Sequence, residues 1–149
     1  MSLLANVPLL AAVVATFAAQ VFKVMLVLLT ERRWAFDRML ETGGMPSSHS
    51  ATVTALAVAT GMVEGLGSTY FALSVVFAGI VMYDASGIRR AAGMHAQLIN
   101  DLVQELAHLF DDGFQPTALK TLLGHTYPQV LGGALLGGAT GFVVAALST

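Results

Sequence analysis

The chain has 149 residues, 56% of them hydrophobic and only 11% charged, and its mean hydropathy is +0.74. A soluble domain is about 45–50% apolar and about 25% charged, so this chain has too little polar surface to coat a water-soluble particle. A net charge of −2 gives no basic field for nucleic acid, and the absence of cysteine excludes disulfides, thiol nucleophiles and thiolate metal sites.

The first apolar stretch runs from about Val7 to Leu29, long enough for a hydrocarbon core that takes roughly 20 residues to cross. It has no basic leader and no clean small-residue cleavage site, so it reads as a retained membrane helix rather than a signal peptide. Lys23 lies inside it, about two turns before its end. An ammonium at that depth either snorkels towards the polar loop or serves as an anion ligand. Arg32, Arg33 and Arg38 follow in the loop.

Next comes Gly43-Gly44-Met45-Pro46-Ser47-Ser48-His49-Ser50, a turn opening into an apolar helix. Backbone N–H groups, hydroxyls and an imidazole gathered at a helix start can surround one anion. The second span covers about Ser50 to Leu66 and the third about Tyr70 to Ile88, joined as a hairpin through Gly65-Leu66-Gly67-Ser68. Asp84, inside the third span, either pairs with Lys23 or an arginine, or orients a catalytic histidine. Arg89 and Arg90 are expected in the loop that follows.

An insert of about residues 91–124 has a different texture. Met94, Leu98, Leu102, Leu106 and Leu109 recur at helical spacing opposite Asn100, Asp101, Gln104, Glu105, His108 and Asp111, which predicts an amphipathic helix ending near Asp112-Gly113. With so few cations it either packs on the protein or lies at the membrane interface. A short helix, Thr117 to Leu123, is expected after Pro116. The fourth span runs from about Val130 to Leu147 and carries Gly133, Gly137 and Gly141, a small-residue stripe suited to close packing within the chain or to a homo-oligomer seam.

The expected fold is therefore all-α. It is a single-domain, polytopic membrane bundle of about four transmembrane helices, with an amphipathic helical insert between helices three and four. All seven Lys and Arg residues fall on the first helix or the loop after it, or in the loop after the third helix, on one side of the membrane. The positive-inside rule places that side in the cytoplasm.

Lys23, the arginines Arg32 and Arg33, the Gly-Gly-Met-Pro-Ser-Ser-His turn, Arg89-Arg90 and His125 thus gather at one membrane face. Cations and hydroxyls offset phosphate charge, while one histidine can attack phosphorus and another can protonate the departing oxygen.

Pro46-Ser47-Ser48-His49 resembles the Pro-Ser-Gly-His motif of the type-2 phosphatidic acid phosphatase and vanadium haloperoxidase superfamily. The whole chain looks most like that superfamily's divergent branch of small bacterial and plant membrane proteins. It shares with it the eight-residue turn and the Asp84–Arg90 segment, and His125-Thr126-Tyr127-Pro128-Gln129-Val130 resembles the third motif. The resemblance implies His125 as the nucleophile forming a phosphohistidine, His49 as the general acid, and Asp84 or Gln129 in the orienting role. It implies Gly44, Ser47 and Ser48, with Lys23, Arg32, Arg33, Arg89 and Arg90, around the phosphate of a lipid substrate. The family chemistry uses no metal or other cofactor.

The chain departs from the pattern in four places. Thr30 stands where the first motif has arginine, Ser48 where the second has glycine, and Gln129 where the third has aspartate, while the insert splits the third motif. His95, six residues after Arg89, competes with His125 for the nucleophile role, and His108 with Asp111 and Asp112 offers an alternative metal site. The leading expectation is a membrane phosphatase. The others are an anion-binding or scaffolding protein with a decayed site, and a small transporter component using Lys23 and Asp84 as an intramembrane charge pair.

Overall fold

The structure, a computed structural model, describes residues 5–32, 34, 44–107, 117–121 and 123–148. Five helices occur in these residues: α1 (Val7–Glu31), α2 (Ser48–Glu64), α3 (Thr69–Ser86), α4 (Ile88–Glu105) and α5 (Tyr127–Ser148). Arg33, Arg38, Gly43, His108, Asp111 and Asp112 lie outside the described residues.

The helix starts follow from local chemistry. Asn6 caps α1 by accepting the Leu9 N–H at 3.1 Å, with Pro8 inside the first turn, where its missing N–H costs nothing. Ser68 caps α3 by accepting the Phe71 N–H at 3.1 Å, right after the tight turn that Gly65 (φ +86) permits. At the other end of α1, Arg32 adopts a left-handed conformation (φ 52) and its N–H closes onto the Leu28 carbonyl.

The core is made of small residues. Ala11, Ala15 and Ala19 of α1 meet Ala51, Ala55 and Ala59 of α2 and Ala145 of α5, while Phe17, Phe22, Phe77, Ile80, Leu135 and Phe142 point outwards. A soluble protein shows the opposite pattern. In lipid no hydrophobic force drives helices together, so association relies on close backbone approach. Gly133, Gly137 and Gly141 provide that approach: a methyl group on any of them would strike the carbonyl oxygens of Ser47, Ala51 or Ala55 on α2. The glycine stripe is therefore packed within the chain.

α2 is the central helix, packed by α1, α3 and α5, and the Thr16 and Thr52 hydroxyls join it to α1 at 2.6 Å. Three stretches are long and apolar enough to cross a membrane: Val7–Glu31, Thr69–Glu105 and Tyr127–Ser148. The chain is an all-helical membrane bundle, as expected. The 17 residues of α2 rise about 25 Å, at the short end of the roughly 17–25 residues of a membrane helix.

The insert departs from expectation at both ends. α4 starts at Ile88, so Arg89 and Arg90 sit on its first turn rather than in a loop. Gly87 alone separates α3 from α4, its φ −102 and ψ −85 departing from helical values, and a methyl there would press on the Tyr83 carbonyl. Residues 117–121 and 123 are not helical. Instead this segment returns along α4, where the Asn100 amide accepts the Leu119 N–H and donates to the Leu119 carbonyl, both at 2.9 Å. Those bonds replace the ones a short helix would have made.

Candidate functional site

The turn before α2 begins at Gly44, whose φ of +90 suits glycine alone, and continues through Pro46, which is buried. Ser47 is fully buried and its N–H donates to the Gln129 carbonyl at 3.0 Å, tying the turn to α5. Its hydroxyl oxygen accepts the Ser50 N–H at 3.3 Å and the Ser50 hydroxyl at 3.1 Å, the geometry of an N-cap. Ser47 is therefore the helix cap of α2, its hydroxyl oxygen occupied by Ser50 and its backbone N–H by Gln129. Ser48 occupies the first helical position and is buried, and His49 follows it half-buried.

His125 arrives from the far end of the chain. Its N–H donates to the Ala85 carbonyl at 2.8 Å, closing the end of α3. Gly124 (φ +78) makes this possible, because a methyl there would overlap the Arg90 backbone. The His125 side chain is 2% exposed, and its ring lies 6.0 Å from that of His49, centroid to centroid, tilted by 61°. Nδ1 of His125 is 3.4 Å from Gln129 Oε1, which also accepts the Thr126 N–H at 3.0 Å. With Nδ1 as the donor, Nε2 keeps its lone pair. Nε2 of His125 and Nδ1 of His49 are buried and have no hydrogen-bond partner among the described residues.

Burial holds the His125 imidazole below its ordinary value of 6.5, and the Lys23 and His49 charges push the same way. The Gln129 bond and the Gly44 backbone carbonyl oppose this without overturning it. The ring is thus neutral, with its lone pair available, at neutral pH.

Lys23 is 3% exposed on α1, and its Cδ lies 3.8 Å from the point where a Gly44 side chain would begin. Beside it a recess of about 240 Å³ is lined by Lys23, Leu26, Val27, Thr30, Glu31, Gly44 and Met45. Thr30, at the position of the family's arginine, bonds back to the Leu26 carbonyl at 2.8 Å.

The expected partners divide into two groups. Lys23, His49, His125, Gln129 and Gly44 come together, as does Arg89, whose charge reaches His49. Asp84 pairs with Arg89, its Oδ2 accepting the Arg89 Nε–H at 2.5 Å, and its charge also reaches His49. Arg32 and Arg90 are exposed. His95 is exposed on α4, away from the bundle, which leaves His125 as the histidine facing His49.

Gln20 escaped the sequence reading. It precedes Lys23 by one turn, and its buried Oε1 lacks a partner among the described residues. The signal was present as polar residues Thr16, Gln20 and Lys23 at helical spacing in an apolar helix.

The chain matches the model of a family described as the divergent PAP2 family, over residues 4–140. It is 42% identical over 146 residues to an uncharacterized membrane protein, YuiD, of Bacillus subtilis (strain 168), covering 92% of each chain. No solved structure matches it.

Proposed function

The chain belongs to the divergent PAP2 family, and from that membership we propose an integral membrane phosphatase that hydrolyses a lipid phosphomonoester or pyrophosphate. The observation that carries the reading is the approach of His49 and His125 to 6.0 Å, with an unpartnered, buried nitrogen on each. Nε2 of His125 attacks phosphorus, the bond from phosphorus to the lipid oxygen breaks, and His49 gives that oxygen a proton. Water then gives a proton back to His49 and attacks the phosphohistidine, the P–N bond breaks, and inorganic phosphate leaves with the lone pair restored to His125. Lys23 and Arg89 offset the charge of the phosphate oxygens.

The recess beside Lys23, at about 240 Å³, is smaller than the roughly 300–1,000 Å³ of ordinary ligand pockets. The cluster of Lys and Arg at this end supports a site facing the cytoplasm.

The test is release of inorganic phosphate by the purified protein in detergent from a panel of lipid phosphates, with chelator present and vanadate as inhibitor. Activity that His125→Ala abolishes supports the reading. A second reading, an anion-binding protein of the same fold, is favoured by Gln129 at the orienting position. Vanadate binding with no phosphate release from any lipid would select it.

A further inference from the structure

We propose that α4 and the segment returning along it form an arm that lies on the bilayer surface, with one face of α4 sunk among lipid headgroups and the first acyl carbons. The arm stands apart from the bundle: of the other helices, α4 touches α3 alone. The circumference of α4 divides into three sectors. Gly93, Ala96 and Asn100 face the returning segment, where a methyl on Gly93 would strike the Thr121 carbonyl. Arg90, Gln97, Asp101 and Gln104 form an exposed polar sector. Ile88, Leu98, Ile99, Leu102 and Leu106 form the third, a stripe of apolar side chains each 43–65% exposed, interrupted by the exposed His95.

Continuity with the lipid-facing surface identifies what covers that stripe. Ile80 and Tyr83, exposed on the last turns of α3, belong to a helix long and apolar enough to cross the membrane. Only Gly87 separates that helix from Ile88, so the stripe begins at the lipid boundary. A helix with an apolar face, an opposed polar face and one end fixed at that depth lies in the interface plane. Arg89 and Arg90 at the root of the arm, and Lys120 on the returning segment, are exposed and suit the phosphates of the headgroup layer.

The arm is joined to the candidate site at its root. Gly124 packs on the Arg90 backbone and the His125 N–H bonds to Ala85, so seating the arm on lipid steadies the segments that carry Arg89 and His125. The inference concerns where the arm sits and stands independently of hydrolysis.

The chain has no cysteine, so single labelled positions report cleanly. Leu102→Cys and Gln97→Cys, each carrying a fluorescent probe, are compared in phosphatidylcholine–phosphatidylglycerol vesicles. The probe at 102 is expected to be quenched by a nitroxide placed high on the acyl chain and shielded from aqueous iodide, and the probe at 97 to show the reverse. Equal access of iodide to both positions would place the arm in water and overturn the proposal. Cross-linking between copies through position 102, without quenching by lipid nitroxide, would overturn it in favour of a second copy as the occupant.

Discussion

The ring of His49, in the first turn of α2, lies 6.0 Å from that of His125, which immediately precedes α5, and the two planes are tilted by 61°. Two imidazoles this close, on segments joined by the hydrogen bond from Ser47 to Gln129, can act on opposite sides of one phosphoryl group. Removing the His125 ring should therefore reduce phosphate release to background. His49→Ala should lower it by about 10²–10⁴-fold, the usual weight of a general acid. His95→Ala should leave it nearly unchanged. Initial rates for the three variants on one lipid phosphate settle the assignment, and a large loss in His95→Ala would refute it.

Acidity provides an independent handle. Burial lowers the affinity of His125 for protons, so its attacking form persists below the ordinary imidazole value of 6.5. The acid limb of the activity profile should therefore lie below that value. Gln129→Asp places a carboxylate against Nδ1, favours the imidazolium and should move this acid limb to higher pH. An unmoved limb would show that Gln129 does not act on the ring. The sign for stability follows from the same shift. The unfolded chain binds the His125 proton more readily, so folding is favoured above 6.5 and weakens as the pH falls towards the lowered value.

Ser47→Ala separates capping from phosphate binding. Loss of an N-cap costs about 0.5–2 kcal/mol, so the thermal midpoint in detergent should drop. Vanadate affinity should stay close to that of the parent, because the hydroxyl already faces Ser50. A large loss of affinity at unchanged stability would restore Ser47 as a ligand.

Gly137→Ala tests how the bundle is packed. The added methyl meets the Ala51 backbone, which cannot yield, and overpacking of this kind costs about 1–3 kcal/mol. Gly138→Ala is the matched control: its methyl would meet only the Thr54 side chain, at an ordinary 3.9 Å. Unfolding midpoints of the pair should differ by several degrees, and equal midpoints would mean that α2 and α5 are not held this closely.

Asp84 and Arg89 should behave as a coupled pair. Arg89→Ala is expected to raise KM for a lipid phosphate, and Asp84→Asn to have a smaller effect. The double variant should fall short of the sum by about 0.2–1 kcal/mol, typical of a partly exposed ion pair. Additive effects would separate the two residues.

Much of this was legible in the sequence, because it depends on neighbours in the chain. Apolar length marks α1, α3 and α5, Asn6, Ser47 and Ser68 lie where helices start, and Gly44 stands where a side chain would be strained. The resemblance to a phosphatase family also rests on short contiguous runs, and the family was recognised from them. Arg89 and Arg90 were misplaced because one glycine, Gly87, both ends α3 and starts α4, and spacing alone does not distinguish a bend from a loop. The segment after residue 116 was misread because the backbone partners of Leu119 come from Asn100, across the arm.

The chain by itself determined that this protein lives in a membrane, where its helices begin and which few polar residues can do chemistry. Only the tertiary structure decided which of them meet. Asp84 turned to Arg89, Ser47 turned inward to cap α2, and His125 rather than His95 came to His49. Hydrophobicity and capping are set by adjacent residues. The rotation of one helix against another is set by how closely Gly133, Gly137 and Gly141 let α5 approach α2, and that contact joins residues far apart along the chain.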